Sequence, residues 1–117
     1  MTEDSKDWFE NFDFDAASLV DSLADDVVVE HVTTGRRIAG KDAVVAWLSD
    51  LSERSAEDHI DLVRWAVDGS TIWAERVDRH LIDGRWHEIP VMGVIELNDD
   101  QKVILLRDYF DPSLAVH

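Results

Sequence analysis

The stretch that decides the fold is Trp73-Ala74-Glu75-Arg76-Val77-Asp78-Arg79-His80. Side chains alternate between the two faces of a β-strand, so one face of this stretch carries Ala74, Arg76, Asp78 and His80. A turn signal bounds the stretch on each side, Asp68-Gly69 before it and Asp83-Gly84 after it. Pairs of this kind favour tight hairpin turns. The stretch is therefore predicted to be an inner strand of an antiparallel meander.

The meander extends outward from this strand in both directions. A third turn is predicted at Asn98-Asp99-Asp100. The strands are predicted at Asp58 to Val67, Thr71 to Ile82, Arg85 to Leu97 and Lys102 to Phe110. Pro90 lacks a backbone N–H, so the third strand is expected to have a bulge or a missing ladder hydrogen bond there.

The amino-terminal half has helical patterns and one short strand. Apolar spacing between Asp7 and Asp25 predicts one or two amphipathic helices, with Asp13 or Asp15 able to cap the second. A β-branched strand follows at Asp26 to Val32, and Thr33 to Arg37 is predicted to be a turn. Another helix opens at Gly40-Lys41-Asp42, and its buried stripe is Val44, Trp47, Leu48 and Leu51.

This order of elements predicts an α+β fold. A strongly curved, mixed or antiparallel sheet would wrap on two to three N-terminal helices and form a cone-shaped barrel with an internal cavity. A chain of 117 residues suits one domain, which we place at residues 1–117.

Composition narrows the classes of partner. The net charge of −15 disfavours nucleic acid and anionic membranes, and favours a neutral or cationic small molecule. There is no cysteine, so disulfides and thiolate nucleophiles are excluded. The acidic start of the chain lacks a signal-like apolar run, and no stretch approaches the length of a membrane span. We expect a cytoplasmic protein.

A candidate active site follows from a second stretch, Ile104-Leu105-Leu106-Arg107-Asp108-Tyr109-Phe110-Asp111. Alternation places Asp108 in an otherwise apolar row, where a carboxylate needs a partner. If the two rows share a face, Arg76 can reach Asp78 along its own strand and Asp108 across the sheet. Two carboxylates beside one guanidinium tend to retain one proton, which supplies an acid and a base together. The same residues can also form a buried ion-pair network without catalysis.

These residues resemble those of a known family. The stretch Glu75-Arg76-Val77-Asp78, the Gly93-Val94 step and the run Arg107 to Asp111 are similar to the signature of limonene-1,2-epoxide hydrolases. That family lies within the SnoaL-like, cystatin-type α+β cone superfamily. The resemblance implies an Asp-Arg-Asp catalytic triad at Arg76, Asp78 and Asp108. It implies that Asp78 protonates the epoxide oxygen while Asp108 takes a proton from the attacking water.

The resemblance also extends to the position of that water. The family uses a Tyr and an Asn, two residues apart on the early strand, and the matching positions here are Val29 and His31. His31 would then hold the water without a tyrosine hydroxyl beside it. His80 stands where an apolar wall residue is expected.

The first reading is therefore hydrolysis of a small apolar epoxide to a vicinal diol. The residues predicted to bind this substrate are Val29, His80, Met92, Val94, Leu106 and Phe110. No cofactor and no metal are predicted, although His31 and His80 with the carboxylates leave a two-His, carboxylate metal site as an alternative.

Two further readings stay open. A SnoaL-like cyclase or a ketosteroid-isomerase-like protein would transfer protons within a carbon skeleton, with His31 as a possible base. A non-catalytic dimer would only bind a small ligand. In every reading a homodimer is expected through the outer sheet face, where we place Trp73, Val77, Ile89, Val91 and Ile95.

Overall fold

The computed structural model describes residues 2–114, except for the side chains of residues 2, 3 and 16. Residues 1 and 115–117 of the predicted domain lie outside the described part. The helices are α1 (Thr2–Glu10), α2 (Ala16–Ser22) and α3 (Lys41–Arg54), with a short 3₁₀ turn at Pro112–Leu114. The strands are β1 (Leu23–His31), β2 (Arg36–Ala39), β3 (Glu57–Asp68), β4 (Thr71–Ile82), β5 (Arg85–Leu97) and β6 (Val103–Phe110). None of the described helices has the length and apolar character needed to cross a lipid bilayer.

The strands form one six-stranded sheet in the order β2-β1-β6-β5-β4-β3. The meander from β3 to β6 is antiparallel, and β1 pairs parallel to β6. The α+β class and the curved mixed sheet are thus confirmed, although the sheet is open at β2 and β3 rather than closed as a barrel.

Turn chemistry explains the meander. Ile82 pairs with Arg85 across the two-residue loop Asp83-Gly84. Both loop residues have positive φ, 52° and 76°, as the favoured hairpin turn requires. At the next turn, the side chain of Asn98 accepts hydrogen bonds from the backbone N–H groups of Asp100 and Lys102.

Breaks in strand register bend the sheet. The register shifts between Leu62 and Arg64 on β3, between Glu96 and Leu97 on β5, and between Leu23 and Val28 on β1. An extra residue on one strand increases its local bend and twist, which makes one face of the sheet concave. Helix α3 packs on β1, and α1 packs on β3 and β4.

The core fills only part of this concave face. Phe9 on α1 packs its ring 4.8 Å from that of Trp65 on β3, and Val27, Val44, Ile72 and Val103 are completely buried. Along β4 the core row ends at Ala74, and along β1 it ends at Val29, each 2% exposed. The next residues on the same rows, Arg76 and His31, are polar. The apolar core therefore stops where the candidate site begins.

Several boundaries differ from the sequence prediction, and three of these differences have a local cause. Strand β1 begins at Leu23 rather than Asp26, because α2 ends at Ser22. Part of the predicted turn at Thr33 to Arg37 belongs to β2, an edge strand whose one large apolar residue, Ile38, gives little alternation. Helix α3 continues to Arg54 through a polar last turn with an Asp50–Arg54 ion pair of 3.7 Å.

Candidate active site

The guanidinium of Arg76 lies between the carboxylates of Asp78 and Asp108. Arg76 Nε donates to Asp78 Oδ1 at 2.8 Å, and Nη2 donates to Asp78 Oδ2 at 3.2 Å. Arg76 Nη1 and Nη2 donate to Asp108 Oδ1 and Oδ2 at 3.1 and 2.9 Å. Each carboxylate therefore has both oxygens on the guanidinium, the geometry in which arginine binds carboxylates most strongly.

The sheet brings these three residues together over an intervening strand. Asp78 follows Arg76 by two residues on β4, so both side chains point to the concave face. Asp108 lies on β6, and β5 runs between β4 and β6. Gly93 on β5 is the cross-strand partner of both Ala74 and Asp108. The Arg76 side chain must therefore cross β5 close to Gly93.

Gly93 has no side chain, and the Arg76 guanidinium occupies the space that a Cβ atom would take. A Cβ atom at this position would overlap Arg76 Nη1 and lie 3.0 Å from Asp108 Oδ1. Any larger residue would displace the guanidinium from one of its carboxylates.

The site is largely removed from solvent. The side chains of Arg76, Asp78 and Asp108 are 15%, 19% and 18% exposed. Burial by itself lowers the pKa of Arg76, but the charges of Asp108 and Asp78 and their hydrogen bonds offset this and raise the pKa well above its usual range. The guanidinium therefore stays charged, and two ionised carboxylates would leave the group with one excess negative charge.

His31 lies beside this group. It pairs with Asp108 across β1 and β6, and its ring packs edge-on against Trp47 and Phe110 at centroid distances of 5.2 and 5.3 Å. Burial lowers the pKa of His31; Asp108 opposes this shift, while Arg36 and Arg76 add to it. Within residues 2–114 the ring nitrogens of His31 have no hydrogen-bond partner. A neutral imidazole in this position can bind a water molecule.

Val29, Leu106 and Phe110 also lie on the concave face. Val29 pairs with Leu106 and is 2% exposed, so it belongs to the core beneath the site. Phe110 lies at the other end of its row, against His31. Apolar side chains thus surround the polar group on the β1 and β6 side.

His80 occupies the far end of the β4 row and has a polar partner. Its Nδ1 lies 2.6 Å from Asp58 Oδ1 on β3, and Asp58 Oδ2 accepts a hydrogen bond of 2.8 Å from Ser55 Oγ. The His80 side chain is 25% exposed. It lies on the same face as Asp78, two residues further along β4.

The structure corrects the predicted faces of β5. Met92 and Val94 pair with Glu75 and Trp73, so they lie on the outer face and do not line a pocket with Arg76. Conversely, Val91 and Ile89 pair with Arg76 and Asp78 and lie on the concave face. Ile95 pairs with the buried Ile72 and is likewise on the concave face rather than the outer one. A one-residue error in register moves every side chain of a strand to the opposite face.

A sequence signal for this register existed. The row that contains Met92 and Val94 also contains Glu88, Pro90 and Glu96, which suit an exposed face. The alternate row contains Gly93, which leaves space for a side chain to cross the strand. Asp58 and Ser55 were not predicted as site residues, because no recognisable motif surrounds them in the sequence.

Two cavities of the described chain lie away from these residues. One, of about 680 Å³, is lined mainly by carboxylates and by the stacked rings of Trp8 and Phe12. The other, of about 400 Å³, lies between α2 and α3. Neither includes Arg76, Asp78 or Asp108, which lie partly exposed on the concave face. In residues 2–114, no group of three or more His, Asp or Glu side chains is arranged to hold a metal ion.

Comparisons with known proteins identify the family and the fold. Residues 6–115 match the family model described as the limonene-1,2-epoxide hydrolase catalytic domain. No curated protein sequence matches the chain. Among solved structures, a limonene-epoxide-hydrolase-like epoxide hydrolase from M. tuberculosis is 29% identical with a TM-score of 0.79, covering 94% of this chain and 84% of that one.

Two more distant structures share the fold alone. A SnoaL-like protein from Shewanella putrefaciens has a TM-score of 0.81 at 13% identity, with 95% and 92% of the two chains covered. A protein with a ketosteroid isomerase-like fold from Catenulispora acidiphila has a TM-score of 0.73 at 15% identity, with 93% and 82% covered.

Proposed function

This chain belongs to the limonene-1,2-epoxide hydrolase family, and from that premise we propose that it adds water to small, largely apolar epoxides to form vicinal diols. The observation that carries the proposal is the Arg76 guanidinium held between Asp78 and Asp108 by four hydrogen bonds. The proposed reaction requires one of these carboxyls as a proton donor and the other as a proton acceptor, side by side.

The proposed reaction occurs in one step. Asp108 takes a proton from a water molecule whose oxygen attacks an epoxide carbon, the carbon–oxygen bond of the ring breaks, and Asp78 gives its proton to the ring oxygen. The proton then returns from Asp108 to Asp78 through solvent. Each positioned proton transfer is worth roughly 10²- to 10⁴-fold in rate. No covalent intermediate is needed, because protonation makes the ring oxygen a good leaving group.

Two observations support these roles. Asp108 is the carboxylate beside His31, whose ring nitrogens have no partner among the described residues and can hold the attacking water. Asp78 lies farther along β4, away from His31, where the departing oxygen would be protonated. We assign Arg76 the task of orienting both carboxyls, and His31 that of positioning the water without the tyrosine that the family uses.

A second candidate reaction is proton transfer within a carbon skeleton. The observation that favours it is the position of His31, which pairs with Asp108 across β1 and β6. Burial lowers the pKa of His31, and an unprotonated imidazole can act as a base towards a C–H bond. This reaction gives a rearranged product and consumes no water. A dimer that only binds a ligand would give no product at all.

The test is incubation of the protein with cyclohexene oxide in oxygen-18 water, followed by mass spectrometry of the products. We expect a diol that carries the label. Asp108→Asn and Asp78→Asn should each react roughly 10²-fold or more slowly, and Asp61→Asn should react at the wild-type rate. Asp61 is a matched control because it also contacts an arginine, Arg79, but on the outer face. An unlabelled isomer would favour the second reaction, and full activity of Asp108→Asn would refute the assigned base.

We also propose that two copies of the chain associate through the outer sheet face. Trp73, Met92 and Tyr109 lie together there and are 38%, 42% and 42% exposed. An apolar patch of this kind on neighbouring strands marks an interaction surface, and a self-complementary twofold contact is the commonest way to cover it.

A further inference from the structure

The concave face has a polar end that the proposed hydrolysis does not use. It consists of His80, Asp58 and Ser55, linked by hydrogen bonds of 2.6 Å from His80 Nδ1 to Asp58 Oδ1 and 2.8 Å from Ser55 Oγ to Asp58 Oδ2. Asp58 thus fixes the ring of His80 from the Nδ1 side. The other ring nitrogen, Nε2, has no hydrogen-bond partner among the described residues.

A break in the register of β3 creates this pair. From Asp68 to Arg64 the strand pairs in one register with β4, and beyond Val63 the register shifts by one residue. This shift places Asp58 directly opposite His80 and on the same face. Without it, His59 would be opposite His80 and Asp58 would point to the outer face. Breaks of this kind commonly re-aim a side chain next to a functional site.

The opposite end of the concave face is apolar and aromatic. Trp47 and Phe110 pack around His31 there, while Ile89 lies opposite Asp78 in the middle. Asp78 and His80 are two residues apart on one face of a strand, which separates their Cα atoms by roughly 7 Å. A small ring with its epoxide at Asp78 and Asp108 would therefore have its far side near His80.

We propose that His80, oriented by Asp58, is a binding residue for a hydroxyl group on the substrate, so that the preferred epoxides carry one uncharged oxygen function across the ring from the epoxide. This inference rests on the proposed hydrolase function. When Nδ1–H donates to Asp58, Nε2 is an acceptor; when the ring is protonated, Nε2–H is a donor. A hydroxyl group can satisfy either form.

Charge excludes the main alternatives. Asp58, Asp78 and Asp108 all face this part of the sheet, and Arg76 is already paired with two of these carboxylates. Arg85 shares this face but lies at the end of β5, beyond the residue opposite His80. The carboxylate of Asp58 beside His80 therefore disfavours an anionic substituent. An apolar substituent would leave Nε2 of His80 without water or a partner, which is unfavourable. Because His80 is 25% exposed, a ligand can reach it.

The experiment compares kcat/KM for cyclohexene oxide and for its 4-hydroxy derivative. The wild-type protein is expected to prefer the hydroxylated epoxide by roughly tenfold, the size of one good hydrogen bond to a partly buried partner. His80→Leu should lose this preference, and His80→Gln should keep part of it because the amide can still bond to a hydroxyl. Asp58→Ala, which frees the His80 ring without removing it, should weaken the preference.

A matched control is His59→Leu. His59 also has a carboxylate partner, Glu57 at 3.2 Å, but it points to the outer face and is more than half exposed. Its replacement should leave the preference intact. If the wild-type protein shows no preference, or if His80→Leu keeps it, the pair only links β3 to β4 and the inference is wrong.

A binding measurement separates this inference from the hydrolase proposal. If neither epoxide is converted, the hydrolase function fails, and titration calorimetry with cyclohexane-1,2-diol and cyclohexane-1,2,4-triol decides the inference. Tighter binding of the triol that disappears in His80→Leu would support a hydroxyl site. Equal affinities would overturn it. If His80→Leu does not fold, Asp58→Ala replaces it in both measurements, with a weakened preference as the expected outcome and an unchanged preference as the outcome that overturns the inference.

Discussion

Replacement of Gly93 by alanine is the sharpest perturbation of the candidate site, because it alters no functional group. The new Cβ atom would overlap Arg76 Nη1 and lie 3.0 Å from Asp108 Oδ1. Non-bonded heavy atoms settle at about 3.5–4.0 Å, so the guanidinium must move on the order of 1 Å. That movement lengthens the hydrogen bonds of 3.1 and 2.9 Å to Asp108.

Stability and activity should respond by different amounts. Overpacking of this kind costs about 1–3 kcal/mol in the free energy of unfolding. A displacement of about 1 Å among reacting groups costs roughly 10²-fold in rate. We therefore expect Gly93→Ala to remain folded, with a modestly lower urea midpoint, and to hydrolyse cyclohexene oxide roughly a hundredfold more slowly. Val94→Ala, on the same strand but the opposite face, should retain its rate.

A double-mutant cycle identifies the cause. Lysine in place of Arg76 has no Nη1 atom, so Gly93→Ala should destabilise the Arg76→Lys protein less than it destabilises the wild type. Equal destabilisation in both backgrounds would show that the overlap with the guanidinium is not responsible. Wild-type activity in Gly93→Ala would refute the argument that the guanidinium position matters.

Three further predictions concern the fold, the pH response and the assembly. Ile72 is completely buried, so Ile72→Ala should lower the free energy of unfolding by about 2–5 kcal/mol in urea titrations. Val32 is 43% exposed, and Val32→Ala should change this free energy by less than about 0.5 kcal/mol. Similar losses in the two variants would contradict the described core. Burial lowers the pKa of His31 below its ordinary 6.5. The unfolded chain therefore binds a proton more readily than the folded protein, and the free energy of unfolding falls as the pH drops from about 6.5 towards the lower pKa of the folded state. His31→Phe should show a smaller fall between pH 7 and pH 5 in urea titrations, and a fall as large as that of the wild type would argue against a buried neutral ring. Met92→Asp puts a charge on the outer face and should convert the dimer to a monomer in sedimentation velocity experiments. Leu62 is 37% exposed on the concave face, so Leu62→Asp should stay dimeric. The reverse pattern would place the interface on the concave face.

The meander and the carboxylate–guanidinium group were predictable because they depend on local signals. Asp83-Gly84 determines both the loop and the register of β4 against β5. Once Arg76 and Asp78 alternate onto one face of β4, their contact follows from strand geometry. Asp108 needed one further assumption, that its row shares that face, and the resemblance to a known family pointed the same way.

The remaining features depend on tertiary context. Both rows of β5 contain apolar residues, so alternation alone did not decide which face Met92 and Val94 occupy; the crossing of Arg76 over Gly93 decides it. The contact between His80 and Asp58 depends on the register shift at Val63, and no turn residue or pattern marks that shift in the sequence. Strand β2 is formed by pairing with β1 alone, and such an edge needs little hydrophobic periodicity.

The most direct test of the account is a single turnover in oxygen-18 water with protein in excess over cyclohexene oxide. Direct attack by a water molecule, activated by Asp108 while Asp78 protonates the ring oxygen, predicts that the first diol molecules already carry the label and that no aspartate of the protein acquires it. Unlabelled diol from the first turnover, with oxygen-18 appearing in Asp78 or Asp108, would mean that a carboxylate attacks the epoxide and would contradict the account.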